Sequence, residues 1–457
     1  TASHRNTAVG EFALAALNVT TSTNVYDVAI GYSAGAALTT GIENILIGGL
    51  AGDALTDADV NIAIGMSALS SDTLGSKSIA IGKGALFAQN FTTATDSHNI
   101  AIGTNAGLSV TTGLNNVLMG GLAGDALTDA DKNVAIGDQA LSSDTLGSRS
   151  TAVGFGALFT QNFSTATDVY NVAVGANAGL SVTTGTINTI VGGQAADAMT
   201  IGTSNVALGF AALGAEVAGH RNVAVGTYAL VNQSNSGSTN AYNTAVGYGA
   251  GNDVTSGISN VLMGGLTGDA LTDADYNTAV GTFALSADTL GSQSTAFGYG
   301  ALQNQNFSTA TNSFNTAIGV EAGYAITTAQ YSTIVGAKAG DAATTSGGNT
   351  LVGYAAGTAI STGDGNSTCI GNSAGGNLTT GSGNTLIGSS AGNLTVLLQT
   401  GDNNTLLGTG VRTSSSSVNT EIVLGYNITG AGTNTVRIGT STGGTATLNL
   451  DGSDTSW

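Results

Sequence analysis

Three acidic loops carry the side chains of this chain that are best suited to binding a metal ion. Each loop reads Asp-Ala-Leu-Thr-Asp-Ala-Asp, which brings three carboxylates close together in the sequence. Carboxylate oxygens are typical ligands of Ca²⁺, which takes six to eight of them, and Ca²⁺ is the only cofactor that the sequence suggests. The spacing is not that of an EF-hand loop, so a solvated turn is the alternative. The candidate ligands are Asp53, Asp57, Asp59, Asp125, Asp129, Asp131, Asp269, Asp273 and Asp275.

Two further sets of side chains recur at a fixed spacing of 72 residues. The first set is polar and mostly basic, and consists of Arg5, Lys77, Arg149, Arg221 and Gln293. Asp72 and Asp144 precede Lys77 and Arg149 in the same loops, which predicts local ion pairs. Exposed pairs of this kind contribute about 0–1 kcal/mol. A row of sites for an anionic sugar is the functional interpretation of this set.

The second set is aromatic and offers rings that could stack on sugars. Its members are Tyr26, His98, Tyr170, Tyr242 and Phe314, and we treat them as candidate glycan-binding residues. The alternative is that each ring packs a local four-residue insertion onto the body of the protein. Phe87, Phe91, Phe159, Phe163 and Phe307 lie in the same longer segments.

Composition and motifs argue against several classes of protein. The 28 acids outnumber the nine Lys and Arg, giving a formal net charge of −19, whereas nucleic-acid binding needs clustered basic side chains. No apolar run is long enough to span a bilayer, so membrane insertion is not expected. The His, Ser and acidic residues show no spacing typical of a catalytic triad, and we predict no enzyme. Cys369, the only cysteine, lies in an apolar phrase and is expected to be buried.

The elements that position these residues repeat along nearly the whole chain. A five-residue phrase, first seen as Asn6-Thr-Ala-Val-Gly10, recurs twenty-five times and ends at Gly439. Successive phrases are separated by 21, 17, 17 and 17 residues, a super-repeat of 72 residues that holds up to Gly336. A fixed short period is typical of a solenoid. The sequence therefore predicts an all-β, left-handed parallel β-roll (a β-solenoid) of about 25 coils of 17–21 residues.

Each phrase is predicted to form a short strand. In Asn99-Ile-Ala-Ile-Gly103, Ile100 and Ile102 point to one face and Ala101 to the other. Both positions are apolar in most copies, so both faces are expected to be covered, the outer one by partner chains. A second phrase ending in Ala-Gly or Ala-Leu is expected to form the other wall of the coil. The leading Asn is expected to form an amide ladder along the stack.

The regularity of the repeat defines three regions. Residues 1–340 are predicted to be a regular solenoid, and 341–425 to be divergent coils in which the acidic loop and the long coil disappear. Residues 426–457 are predicted to be a terminal capping segment, since an open sheet end would otherwise invite stacking.

The phrases Asn6-Thr-Ala-Val-Gly10 and Asn133-Val-Ala-Ile-Gly137 resemble the head repeats of trimeric autotransporter adhesins. That resemblance implies a homotrimer, although the coils here are longer than those of the family and no anchor or stalk is present. The chain also resembles phage tail fibres and tailspikes that carry such repeats before an endosialidase-type intramolecular chaperone. The matching residues are Asn434–Gly439 and Leu448–Gly452, continuing to Trp457.

These resemblances imply a structural role outside the cell or on a virion. The expected function is a phage tail fibre shaft that attaches to a glycan or protein of the host surface. One alternative is the head of a bacterial trimeric surface adhesin. The other is an extracellular filament subunit without receptor binding.

Overall fold

A computed structural model describes residues 5–19, 24–363, 365–394 and 396–441 of the chain. It divides into two compact units, Thr1–Tyr242 and Asn243–Trp457, which are considered separately. The described residues of both units form strands and turns, with no α-helix.

Unit 1 is a stack of coils, each contributing one three-residue strand to a parallel sheet that we name the main wall. The strands pair in register, so that Ala135 lies between Leu118 and Ala152. The strands are Thr7–Val9, Val28–Ile30, Ile45–Ile47, Ile62–Ile64, Ile79–Ile81, Ile100–Ile102, Val117–Met119, Val134–Ile136, Thr151–Val153, Val172–Val174, Thr189–Val191, Val206–Leu208 and Val223–Val225. Two-residue strands form small second sheets, namely Gly75–Ser76 with Thr95–Asp96, Gly147–Ser148 with Thr167–Asp168, and Gly219–His220 with Thr239–Asn240.

Unit 2 repeats this arrangement with its own main wall. The strands are Thr244–Val246, Val261–Met263, Thr278–Val280, Thr295–Phe297, Thr316–Ile318, Thr333–Val335, Thr350–Val352, Thr368–Ile370, Thr385–Ile387, Thr405–Leu407, Ile422–Tyr426 and Val436–Thr440. Gly291–Ser292 pairs with Thr311–Asn312 beside it. The all-β parallel solenoid predicted from the phrase is thus confirmed within each unit. Coil formation continues to Val436–Thr440, and the rest of the predicted cap, including Leu448–Gly452, lies outside the described residues.

The core of each coil is a thin layer of small and branched side chains. In the three-residue main-wall strands after Thr7–Val9, the middle residue points inward and is buried, as at Ala29, Leu46 and Ala63. The second phrase of the coil contributes buried alanines such as Ala34 and Ala68 opposite. Cys369 fills a middle position like any apolar residue, and burial raises the pKa of its thiol to about 12. The expected burial of the middle position and of Cys369 is confirmed.

In the described coils, the opposite wall is made of turns and contains none of the named strands. After the glycine that ends a main-wall strand, residues such as Ser33 and Gly35 alternate into the left-handed α region. Their N–H groups donate to the next or the preceding coil, as Gly35 N does to Ala51 O. The N–H groups of the residues that follow them close turns within the coil, as Ala36 N does by donating to Ser33 O. Small residues make this close-packed ribbon possible, because alternating left-handed conformations leave little room beside the backbone.

The leading Asn of the phrase is buried and joins neighbouring coils through the backbone. Asn116 Nδ2 donates to Ala130 O at 2.8 Å, and Asn116 N donates to Asn99 Oδ1 at 2.9 Å. Direct amide–amide contact is longer, 3.3 Å from Asn116 Nδ2 to Asn99 Oδ1. The predicted Asn ladder exists, but it consists mainly of side-chain bonds to backbone groups, which satisfy polar atoms that the thin interior would otherwise leave unpaired.

The 21-residue coils are held by a buried carboxylate that the sequence did not predict. Asp144 Oδ1 accepts hydrogen bonds from Gly147 N at 3.0 Å and Phe163 N at 3.2 Å, and its Oδ2 accepts one from Gln161 Nε2 at 2.6 Å. Gln161 Oε1 in turn accepts a bond from Asn171 Nδ2. We name this arrangement the buried clamp. It recurs as Asp72 with Gln89 and Glu216 with Gln233 in unit 1, and as Asp288 with Gln305 in unit 2.

On the outer face of each main wall, the third residue of every three-residue strand is apolar and at least partly exposed, whereas the first is often Thr, above all in unit 2. The flanking strand residues point away from the core, and the exposed fraction is 37% for Ile136 and 44% for Leu208 in unit 1. In unit 2 it is 42% for Met263 and 54% for Phe297. The expectation that this face is covered is thus not met within one chain.

In unit 1, the coil of Asp27 has an acid in place of the leading Asn, which makes the stability of that coil depend on pH. Asp27 is fully buried, its Oδ1 accepts bonds from Asn44, and its Oδ2 has no partner among the described residues. Burial raises the pKa of Asp27 from 3.8 to about 6. Because the folded pKa is the higher one, Asp27 contributes most to stability when protonated, and that contribution is lost as the pH rises from about 4 through about 6.

We therefore expect Asp27→Asn to stabilise the neighbouring coils at pH 7.5 by about 1–2 kcal/mol, a value reduced for residual screening of the charge. At pH 4 the variant and the wild type should differ little. Hydrogen exchange of amides around residues 27–45, measured at both pH values, tests this. An equal gain at pH 4 and pH 7.5 would contradict ionisation of Asp27 as the cause.

Candidate functional site

The residue directly before the leading Asn of each coil forms an exposed column that we name the ridge. Its backbone lies in the left-handed α region at every coil, with φ between 50° and 70°. In unit 1 the ridge residues are Arg5, Tyr26, Glu43, Val60, Lys77, His98, Asn115, Lys132, Arg149, Tyr170, Ile187, Ser204, Arg221 and Tyr242. In unit 2 they are Ser259, Tyr276, Gln293, Phe314, Tyr331, Gly348, Asn366, Gly383, Asn403, Thr420 and Asn434.

The residue types on the ridge are not those that its conformation favours. Glycine and asparagine are the usual occupants of the left-handed region, and a bulky or β-branched residue there costs on the order of 1 kcal/mol. The end of unit 2 follows this preference with Gly348, Asn366, Gly383 and Asn403. Unit 1 instead places Arg, Lys, Tyr and His at most of these positions, so backbone preference does not explain its side chains. The same left-handed conformation recurs at buried residues such as Leu69 and Leu141, so it belongs to the geometry of the coil and is not itself a sign of function.

The ridge joins the two recurring sets that the sequence analysis treated separately. In unit 1 each arginine of the basic set contacts the tyrosine of the aromatic set one coil later. Arg149 Nη1 donates to Tyr170 Oη at 2.7 Å, and its guanidinium carbon lies 5.4 Å from the ring centroid. Arg221 contacts Tyr242 in the same way, at 2.7 Å and 5.5 Å, and Arg5 contacts Tyr26 at 2.5 Å and 5.4 Å. Cation–π contact at an exposed site contributes about 0.5–1 kcal/mol.

Acidic partners of the ridge cations lie one coil away. Lys77 Nζ is 2.5 Å from Asp96 Oδ2, and Arg149 Nε is 2.9 Å from Asp168 Oδ1. The prediction that Asp72 and Asp144 form these ion pairs is wrong, because both carboxylates face inward and belong to the buried clamp.

The ridge of unit 1 also concentrates positive charge on an acidic protein. Five of the nine Lys and Arg residues of the chain lie on it, and one acid, Glu43, is among its members. The exposed fractions of the tyrosine rings are 45% for Tyr26, 47% for Tyr170 and 50% for Tyr242. A ligand that meets this surface would find a guanidinium beside a phenol ring at three places along it. That chemistry suits an anionic saccharide, whose acid groups pair with Arg and whose ring faces stack on Tyr.

Unit 2 replaces the cations of the ridge with neutral side chains. Gln293 stands at the basic position, and Phe314 stacks on Tyr331 at a centroid distance of 5.7 Å and an interplanar angle of 16°. The exposed fraction is 48% for Phe314 and 63% for Tyr331.

The aromatic residues of the long coils separate into two classes. Phe91, Phe163 and Phe307 are at most 7% exposed and pack the insertion onto the coil body. The packing role that was the alternative for the aromatic set is thus filled by these three phenylalanines, which are not members of that set. The rings of Tyr26, Tyr170, Tyr242 and Phe314 are half exposed and remain candidates for ligand contact, as does the exposed His98.

The acidic loops do not bring their carboxylates together. In the second loop Asp129 Oδ1 accepts a bond from Thr112 Oγ1 at 2.6 Å, and Asp131 Oδ1 accepts one from Leu114 N at 2.7 Å. Asp57 with Asp59 and Asp273 with Asp275 bond to the preceding coil in the same way.

The first acid of each loop lies apart from the other two. Asp53 Oδ1 accepts a bond from Ser70 Oγ at 2.8 Å, and desolvation raises the pKa of Asp125 and of Asp269. Within the described ranges, no group of three or more His, Cys, Asp or Glu side chains could hold a metal ion. Calcium binding at these loops stays a prediction for which the geometry supplies no ligand cage.

No protein-family model and no curated protein matches this chain. The resemblance to adhesin head repeats and tail fibres thus depends on the repeated phrase and on the ends quoted above. No helix among the described residues could cross a lipid bilayer.

Sequence reasoning missed several members of the ridge. Lys132, Tyr276 and Tyr331 belong to neither recurring set, although each stands directly before a leading Asn or Ser of the phrase. Position relative to the phrase was the signal that could have found them. Without the coil geometry, nothing indicates that this position is exposed in most coils.

Proposed function

We propose that this chain is a structural fibre subunit that assembles as a homotrimer and attaches to a host surface, as the shaft of a phage tail fibre does. The observation that carries this proposal is the exposed apolar outer face of each main wall. A monomeric protein rarely leaves a contiguous apolar surface of this kind in water. The left-handed coil, the structural repeat of 72 residues and the location on a virion or outside a cell belong to the same proposal.

The partner that best covers the outer face is another copy of the same chain. Its side chains recur at the strand spacing of about 4.8 Å, in register over many coils. To bury all of these side chains, a partner must present side chains at the same spacing along the same length. A second copy of the solenoid meets that requirement by symmetry. The number of three chains comes from the resemblance to adhesin head repeats.

The attachment role rests on the ridge. Arg–Tyr pairs recur along unit 1, and a fibre of three chains would present them many times. Weak contacts become useful when several engage at once, because each further contact is intramolecular. The head of a bacterial trimeric adhesin would use the same surface, and the genes beside this one would distinguish the two settings.

The assembly claim is tested by mass in solution. We expect the intact chain to behave as a particle of three times 44.4 kDa by light scattering or native mass spectrometry. A folded particle of a single chain mass would refute the proposal.

The attachment claim is tested by replacing the ridge pairs with residues that suit the backbone. A variant carrying Arg149→Asn, Tyr170→Asn, Arg221→Asn and Tyr242→Asn should fold as well as the wild type, since Asn tolerates the left-handed region. We expect at least a tenfold loss of binding to cells or anionic glycans, and salt should weaken wild-type binding. Lys83→Asn, which removes an exposed cation outside the ridge, is the matched control. A wild type that binds neither cells nor glycans would leave only a filament without a receptor.

A further inference from the structure

Two open polar pockets lie along the divergent coils of unit 2, in a region where the ridge loses its side chains. The first, of about 490 Å³, has Tyr331 at one end and Asn366 at the other, with Gly348 between them. The second, of about 610 Å³, continues from Asn366 to Asn403, with Gly383 between them. Both fall within the range of roughly 300–1,000 Å³ typical of small-molecule sites. Because Asn366 lines both, they form one groove.

The groove exists because glycines replace bulkier residues at both levels of these coils. Gly348 and Gly383 stand on the ridge, and a Cβ at either would lie within 2.6 Å of the Asn amide one coil later. Gly347 forms part of the floor, and its Cβ would lie 2.6 Å from Gln330 O. In the regular coils, the position of Gly347 is filled by acids such as Asp59 and Asp275, which cap the preceding coil.

The lining of the groove is rich in hydrogen-bonding groups and contains an aromatic ring. Thr380, Thr400 and Asp402 line the second pocket. Asp402 Oδ1 accepts a hydrogen bond from Ser382 N at 2.8 Å. Tyr331 lines the other end, and the ring of Phe314 stacks on it. A flat exposed ring beside amide, hydroxyl and carboxylate groups matches the apolar faces and hydroxyl edges of a sugar.

Charge distinguishes this groove from the ridge of unit 1. Among the described residues that line the two pockets there is no Lys, Arg or His, and the acidic side chain is that of Asp402. Without a cation among these side chains, and with Asp402 beside them, the groove offers no attraction for an anionic ligand. The groove extends over the coils from Tyr331 to Asn403, about 19 Å at a strand spacing of about 4.8 Å. That length accommodates a short oligosaccharide.

We propose that the groove between Tyr331 and Asn403 binds a neutral oligosaccharide, with Tyr331 as the stacking platform and Asn366, Asp402 and Asn403 as hydrogen-bonding partners. This inference rests on the attachment role proposed above and names a second ligand class for it.

The test is binding of the intact full-length chain to an array of neutral and anionic oligosaccharides, together with binding to cells. Gly383→Asn should fill the groove with a residue that the ridge already carries at Asn366 and Asn403. We expect it to weaken binding of neutral oligosaccharides at least tenfold. Ser259→Asn, the same substitution type on the ridge of unit 2 outside the groove, should leave binding unchanged.

A second pair of variants keeps the test decisive if Gly383→Asn fails to fold. Tyr331→Asn removes the platform and should also weaken binding at least tenfold, whereas Tyr276→Asn removes an exposed ridge tyrosine that does not line the groove. Equal binding by wild type, Gly383→Asn and Tyr331→Asn would overturn the inference. A wild type that binds cells but no neutral oligosaccharide would overturn it and leave the attachment role standing. A wild type that binds neither would overturn both.

Discussion

Replacing Gly48 with alanine is expected to destabilise the surrounding coils by about 3 kcal/mol or more. Gly48 has a φ of +135°, a conformation that is essentially restricted to glycine. A Cβ there would lie 2.5 Å from Gly65 O and 2.6 Å from Gly65 C. These are backbone atoms of the next coil, so relief requires the two coils to move apart, which would break the bonds between their main-wall strands.

The adjacent glycine provides the matched control. A Cβ on Gly49 would meet no atom within 4 Å, so Gly49→Ala should change the stability by no more than about 0.5 kcal/mol. The measurement is the opening free energy of amides in the coils around residues 45–65, by hydrogen exchange, because a solenoid can open locally. Similar exchange in the two variants would show that stacking of the phrase glycines does not hold the coils together.

Placing a charge on the outer face of the main wall is expected to prevent assembly. Ile136 and Leu208 are exposed within one chain, so Ile136→Asp with Leu208→Asp should cost a single chain little. In the proposed trimer these carboxylates would be buried without partners, at a cost of several kcal/mol each. We expect the particle mass to fall from three chains to one chain of 44.4 kDa.

Met66→Asp is the control for this experiment. The exposed fraction of Met66 is 52%, and Met66 lies just after a main-wall strand and not within it. Its substitution should leave the particle mass unchanged. If the wall variant keeps the mass of the wild type, the outer face is not the contact between chains.

The parts of the fold that follow from periodicity could be predicted from sequence, whereas those that depend on turn conformation could not. Alternation along a strand gives the burial of Ala29 and Leu46 directly. The ridge depends on a left-handed residue before each phrase, and Arg149 or Tyr170 gives no sign of that conformation. From sequence alone, the basic set and the aromatic set therefore look unrelated, although both stand on the ridge.

Buried polar groups were the hardest part to predict. Asp144 lies in a segment of Ser, Thr, Asp and Gly that reads as a solvated loop. Its burial becomes evident only when the long coil folds over it and Gln161 and Phe163 N reach its carboxylate. The groove in unit 2 could not be predicted from sequence either. The irregular spacing of the phrases after residue 340 indicates that the coils diverge, but it does not show that Gly347 and Gly348 leave space for a groove.

The buried clamp has a consequence for how such a chain finds its alignment during folding. Coils of the same length and nearly the same sequence can exchange neighbours, since a strand paired with the wrong coil still buries its middle residue. A clamp cannot tolerate that error, because Asp144 displaced from Gln161 and Gly147 would be a buried charge without partners. Asp72, Asp144 and Glu216 thus fix the register of the coils in unit 1. An error in coil pairing can extend only over the few coils that separate one clamp from the next.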